Sequence, residues 1–286
     1  MDSLVSTEWL ADHLGEAELT IVDCSWFMPA SGRNGHDEFL RAHIPGARFV
    51  SMSDISVQHT STMLMLEMLP ADELRTKLEA LGISDDSRIV VYYGNDWVSP
   101  STRIIFNLDY AGLGSQTSLL DGGMAAWKGI GGETTSVIVP VKAGSLRPLK
   151  IHPTVVDADF VRAHLGAKGF AIVDGRAASF YDGVETGGGM GEEHKKGHLP
   201  GAKSIPFTSI TNDDLTLRSR ADLEALFTEA GVKPDDTVIG YCHIGQQATA
   251  MLFAARLIGH PVLLYDGSMQ DWSRHDKSYA TETASK

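Results

Sequence analysis

The sequence predicts an α/β protein made of two tandem copies of one domain, each a mainly parallel sheet with helices on both faces. Three observations carry that expectation. Short apolar runs alternate with helical patterns, five elements recur in the same order in the two halves, and the composition is that of an ordinary globular protein. Hydrophobic residues make up 43% and charged residues 21% of the 286, a length that supports two domains of usual size. The formal net charge of −13 argues against a nucleic-acid or anionic-membrane surface, so any anion site must gather its positive charge locally.

The repeat begins with Leu19-Thr20-Ile21-Val22-Asp23, an apolar strand ending in Asp, which returns as Phe170-Ala171-Ile172-Val173-Asp174. Next, Ala42-His43-Ile44-Pro45-Gly46-Ala47 is matched by Gly197-His198-Leu199-Pro200-Gly201-Ala202. Helical patterns over 71–83 and 221–232 each lead through an acidic turn to a strand, Arg88-Ile89-Val90-Val91-Tyr92-Tyr93 in the first half and Thr237 to Tyr241 in the second. Last, Leu119-Leu120-Asp121-Gly122-Gly123-Met124-Ala125-Ala126-Trp127 pairs with Leu264-Tyr265-Asp266-Gly267-Ser268-Met269-Gln270-Asp271-Trp272. The expected organisation is a first domain over 1–136, a proline- and glycine-bearing linker over 137–153, and a second domain over 154–286.

Cys24 and Cys242 are the only cysteines, so a disulfide framework does not organise the fold. Cys242 ends an apolar strand, a polar loop with Gly245 follows, and an alanine-rich helical pattern runs from near Ala248 to Leu257. In parallel folds ligands gather at the carboxyl ends of strands. There, loop N–H groups and the positive end of a helix stabilise a thiolate. Cys24, in contrast, reads as an inert core thiol. The N-terminus lacks a basic region followed by an apolar core, and no apolar run nears the roughly 20 residues that span a bilayer. A reducing cytoplasm is the expected location.

These motifs resemble the rhodanese-like sulfurtransferases of the two-domain kind, over nearly the whole chain. In that family the second domain carries the catalytic cysteine and the first is a degenerate copy. The matching region here, Tyr93-Gly94-Asn95-Asp96-Trp97-Val98-Ser99-Pro100, has no cysteine. The resemblance implies that Cys242 takes sulfane sulfur from a donor such as thiosulfate as a persulfide and passes it to cyanide or a thiol. Loop N–H groups from His243 to Ala248, including those of Ile244, Gly245, Gln246 and Gln247, would cradle the charge. Arg176 matches a substrate-anion arginine, with a structural ion pair to Asp174 as the other reading. The family's second arginine is replaced by Phe180. Trp26 matches an aromatic on the active-site wall, with plain packing equally open.

The donor is read from the loop. His243 and Ile244 follow the cysteine in place of the Arg-Lys pair of thiosulfate enzymes or the Gly-Ser pair of mercaptopyruvate enzymes. Ile244 rules out a serine relay, and Glu67 stands where mercaptopyruvate enzymes carry a histidine. Thiosulfate is the expected donor, with 3-mercaptopyruvate the alternative. His243 is expected to act as a cation, so that activity rises as pH falls toward about 6. Ala248 occupies the position of the phosphate-clamping arginine in phosphatases of this fold, which excludes that chemistry. A non-turnover persulfide carrier stays open. No cofactor or metal is expected; Glu192, Glu193, His194 and His198 read as a solvated loop and a structural turn. A thiol protein such as thioredoxin is a candidate acceptor, and no nucleic-acid or membrane partner is expected.

Overall fold

The computed structural model describes residues 1–58, 60, 63–94, 97–189 and 192–284. Its contacts divide the chain into two units. One comprises Met1–Ser56, Met68–His152 and Thr211–Leu217; the other comprises Val57–Glu67, Pro153–Ile210 and Arg218–Lys286.

The first unit holds β1 (Leu4–Val5), α1 (Thr7–His13), β2 (Leu19–Asp23), α2 (Gly35–Arg41), β3 (Arg48–Phe49), α3 (Ala71–Ala80), β4 (Arg88–Tyr92), α4 (Ser99–Tyr110), β5 (Thr117–Leu120) and α5 (Gly123–Gly129). The second holds β6 (Val155–Val156), α6 (Ala158–Ala163), β7 (Phe170–Asp174), α7 (Ala178–Tyr181), the short hairpin strands β8 (Gly188–Gly189) and β9 (Glu192–Glu193), β10 (Lys203–Ser204), α8 (Arg220–Glu229), β11 (Thr237–Tyr241), α9 (Gln247–Leu257), β12 (Val262–Tyr265) and α10 (Ser268–Arg274). Residues 137–147 carry no helix or strand.

Both five-stranded sheets are parallel, with orders β1-β5-β4-β2-β3 and β6-β12-β11-β7-β10. These are one topology drawn twice. The central strands are apolar nearly throughout because both faces are covered. Strand-to-helix turns are capped alike: Ser6 accepts from the Trp9 N–H, and Asp157 from the Phe160 N–H. Each core is closed by a fully buried tryptophan, Trp127 or Trp272. Their indole N–H groups donate to the carbonyls of Glu133 (2.8 Å) and Ala280 (3.0 Å), so neither ring buries an unsatisfied donor. No helix among the described residues is long and apolar enough to cross a membrane.

Hydrogen bonds fix the residue-by-residue match between copies. The amides of Cys24 and Gly175 donate to Tyr92 O and Tyr241 O (3.1 and 2.9 Å), and the amides of Met124 and Met269 to Tyr93 O and Cys242 O (2.9 and 3.1 Å). Tyr93 is therefore the counterpart of Cys242, Ser25 of Arg176, and Gly123 of Ser268. His43 and His198 each bond a carbonyl through Nδ1 at 2.7 Å, Phe39 O and Tyr181 O respectively, and stack on that same residue's ring. Both histidines hold a turn.

Candidate active site

Cys242 leaves the end of β11 and is fully buried at 0% exposure. Its backbone is clamped by the start of α10. The Cys242 N–H donates to Ser268 Oγ (3.0 Å), the Cys242 carbonyl accepts from Met269, and the His243 carbonyl accepts from Gln270 (3.0 Å). Ser268 Oγ in turn donates to Tyr265 O at 2.9 Å. The Asp266-to-Trp272 motif thus holds the cysteine loop in place, a role that its sequence does not announce.

Ser268 has φ +51°, a conformation that favours glycine. The first copy places Gly123 there, at φ +53°, where a Cβ would stand 2.7 Å from Tyr93 O. The second copy accepts about 1–3 kcal/mol of strain to hold a hydroxyl under the cysteine amide. Ser268→Gly is therefore expected to be about 1 kcal/mol more stable than Ser268→Ala, which loses the hydroxyl but keeps the strain. Urea unfolding of both variants measures the difference, and equal midpoints would refute it.

The loop from His243 to Gln246 curls into α9, with Gly245 at φ +77°. Among the described residues, the N–H groups of His243, Ile244, Gln246, Gln247 and Ala248 have no acceptor. Open amides at the head of an 11-residue helix are groups that can accept an anion, and they follow the cysteine directly in the chain. Gln246 is only 5% exposed, and its Nε2, like Oε1 of Gln247, is buried without a partner. Such groups cost stability unless a ligand or water completes them. Cys242 Sγ has no hydrogen bond among the described residues. The Cys24 thiol, by contrast, sits 3.2 Å from Tyr92 O and 2.9 Å from Ser101 Oγ, and burial raises its pKa.

Two expected roles change. His243 was expected to be a cation. Burial, then the nearby positive charges of Arg176 and His194, push its pKa down to about 3. Its ring stands edge-on to Phe180 with centroids 4.6 Å apart and 5.9 Å from His194, so it is a neutral wall at working pH. Arg176, expected in one reading to bind the substrate anion, is 1% exposed and spent internally. Its Nε lies 3.0 and 3.1 Å from the two Asp174 oxygens, and its Nη2 donates to Asp174 Oδ2 (2.6 Å) and Gly197 O (2.7 Å). Burial opposes the guanidinium charge, but these bonds and the Asp174 charge outweigh it and hold its pKa above the usual value, with smaller attractions to Tyr241 and Cys242. The structural ion pair is the reading that fits.

Trp26 packs in the first unit against Trp97, centroids 5.3 Å apart, and its carbonyl accepts from the Trp97 indole. Asn95 and Asp96, in the stretch that replaces the cysteine loop, lie outside the described residues, as does the side chain of Glu192. Two contributors to the site went unread in the sequence. Gly187 passes so close to the His243 and His194 rings that a Cβ would meet both. Gln270 takes a 2.8 Å bond from the Met65 amide, which brings 57–67 into the second unit. Within the first unit, Tyr93 stands where the second copy has its cysteine, and it donates to Leu215 O at 2.7 Å.

Comparison with known proteins gives this geometry its family. The family model for the rhodanese-like domain matches residues 6–130 and 157–275. The 3-mercaptopyruvate sulfurtransferase of Rattus norvegicus is 31% identical over 284 residues, spanning 94% of this chain and 91% of the relative. The thiosulfate sulfurtransferase of the same organism is 30% identical over 293 residues, spanning 95% and 92%. Among solved structures, SseA from Escherichia coli, a 3-mercaptopyruvate sulfotransferase, superposes with a TM-score of 0.81 at 28% identity, covering 94% of this chain and 99% of that one. With two matched domains and relatives of both donor types, this chain belongs to the two-domain rhodanese-like sulfurtransferase family.

Proposed function

We propose that the protein transfers sulfane sulfur from thiosulfate to a thiophilic acceptor through a persulfide on Cys242. The supporting observation is that, among the described residues, the amides of His243, Ile244, Gln246, Gln247 and Ala248 have no acceptor in the loop that follows a cysteine whose sulfur has no hydrogen bond. Cys242 Sγ attacks the outer sulfur of thiosulfate, the S–S bond breaks, and sulfite leaves with the electron pair. The new terminal sulfur carries the negative charge into the amide cradle, where fixed dipoles stabilise it without reorganisation. Cyanide or a thiolate then takes that sulfur and returns Cys242 as thiolate. A thiol protein such as thioredoxin suits the same step. With the cysteine fully buried, a donor reaches Sγ only when loop side chains give way.

A neutral His243 and a paired Arg176 leave main-chain amides, rather than side-chain cations, to hold the donor. That favours a second reading, 3-mercaptopyruvate, whose single carboxylate demands less positive charge than the thiosulfate dianion. Steady-state rates with each donor and cyanide separate the two. A higher kcat/KM with thiosulfate supports the first reading, a higher value with mercaptopyruvate the second, and a single loading without turnover indicates a carrier. Because the imidazole takes its proton only near pH 3, His243 stays neutral from pH 5 to 8. His243→Asn is expected to leave the shape of the pH–rate profile unchanged over that range. A wild-type rise toward pH 6 that the variant lacks would overturn this.

A further inference from the structure

The mismatch between Arg176 and Ser25 has a consequence in the first unit. In the second copy, the Arg176 guanidinium fills the space between the Asp174 carboxylate and the Gly197 carbonyl. The first copy keeps the carboxylate and the backbone bond that presents it: the Ser25 amide donates to Asp23 Oδ1 at 2.8 Å, as the Arg176 amide does to Asp174 Oδ1 at 2.9 Å. It does not keep the guanidinium. A cavity of about 320 Å³ stands in that place, lined by Asp23, Ser25 and Ala42, the last being the counterpart of Gly197. This volume is at the lower end of the range for small-molecule sites, about 300–1,000 Å³.

Asp23 is 2% exposed, and no arginine, lysine or histidine forms an ion pair with it among the described residues. Burial raises its carboxyl pKa, and the bonds from Ser25 and Tyr92, with a smaller attraction from His43, offset only part of that. A buried carboxylate without an ion-pair partner is costly, and a matching cation repays the cost. Further out, the cavity is lined by Glu38, Arg41 and Lys128. Glu38 is engaged by Arg33 through two 2.7 Å bonds. Among the described residues Lys128 has no hydrogen bond or ion pair and the side chain of Arg41 bonds the Asp37 carbonyl, although both cations also attract the Glu38 carboxylate more weakly than Arg33 does. Acceptors thus lie at the base and cations at the outer wall.

We propose that this cavity is a binding site for a small zwitterion with a guanidinium head and a carboxylate tail, the head replacing the missing arginine against Asp23 and the tail meeting Lys128 and Arg41. The guanidinium is the chemistry that the same frame already binds in the other copy, where planar paired donors fit a carboxylate. The site is independent of which donor Cys242 uses.

Titration calorimetry on the full chain tests it, with free L-arginine as the probe. Citrulline, which has the same shape without the charge, is expected to bind at least about tenfold more weakly. Agmatine, which lacks the carboxylate, is expected to bind several-fold more weakly, and Lys128→Ala should shrink that difference. Asp23→Asn should lose at least about tenfold in arginine affinity. Ser25→Arg, which supplies the guanidinium from the chain itself, should abolish binding and raise the Tm. Two results would overturn the proposal: no arginine binding to the wild type at about 5 mM, or equal binding to wild type and Ser25→Arg.

Discussion

Replacing Cys242 with serine is expected to abolish sulfur transfer, lowering kcat/KM by at least about a thousandfold with either donor. A serine oxygen is a poor nucleophile toward sulfur at neutral pH and cannot hold a transferable sulfane atom. The substitution leaves the local frame intact, because the bonds that position residue 242 come from its backbone, through Ser268 and Met269. Nor can the other cysteine take over. Cys24 is buried, bonded to Ser101 and Tyr92, and pushed away from the thiolate form. Incubating the wild type with thiosulfate should add the mass of one sulfur atom, and the variant should gain none. A variant that keeps full transfer activity would remove Cys242 from the mechanism.

Asp174→Asn is expected to cost about 3–5 kcal/mol of stability, because it leaves the Arg176 guanidinium buried opposite a neutral amide. The pair is 0% and 1% exposed at its side chains, so water cannot make up the loss. A Tm lower by roughly 10 °C is the expected reading. Arg176→Met removes the charge together with its desolvation cost and should be the milder change. The comparison also separates two roles for the arginine. If Arg176 only supports the frame, Arg176→Met alters thiosulfate KM little once enough protein is folded; a direct substrate contact would raise KM by about tenfold or more.

Much of the fold was legible because repetition carries its own control. Phe170 to Asp174 and Thr237 to Tyr241 read as buried parallel strands, and they pair in register from Phe170–Thr237 to Asp174–Tyr241. The helix after the cysteine begins at Gln247, one residue before the apolar pattern suggested, since a polar residue in the first turn still contributes helical backbone. Other features depend on chain paths that one-dimensional spacing does not encode. The placing of 57–67 in the second unit and 211–217 in the first rests on contacts such as Met65 to Gln270 and Leu217 to Asp121, each joining positions far apart in sequence. Ser268 looked like a motif letter until its φ of +51° and its bond to the Cys242 amide gave it work.

The sequence by itself singled out the candidate nucleophile, because only one copy of the repeat carries a cysteine at the end of its central strand. It also determined the two-copy α/β architecture, because strand and helix periods and the order of motifs are properties of the chain. The tertiary structure alone decided the charges around that cysteine. Whether His243 is a cation and whether Arg176 faces a substrate depend on burial and on neighbours such as His194, Phe180 and Asp174. Ionisation is set by the surroundings in three dimensions rather than by residue type, and here they turn two expected cations into a neutral wall and an internal brace.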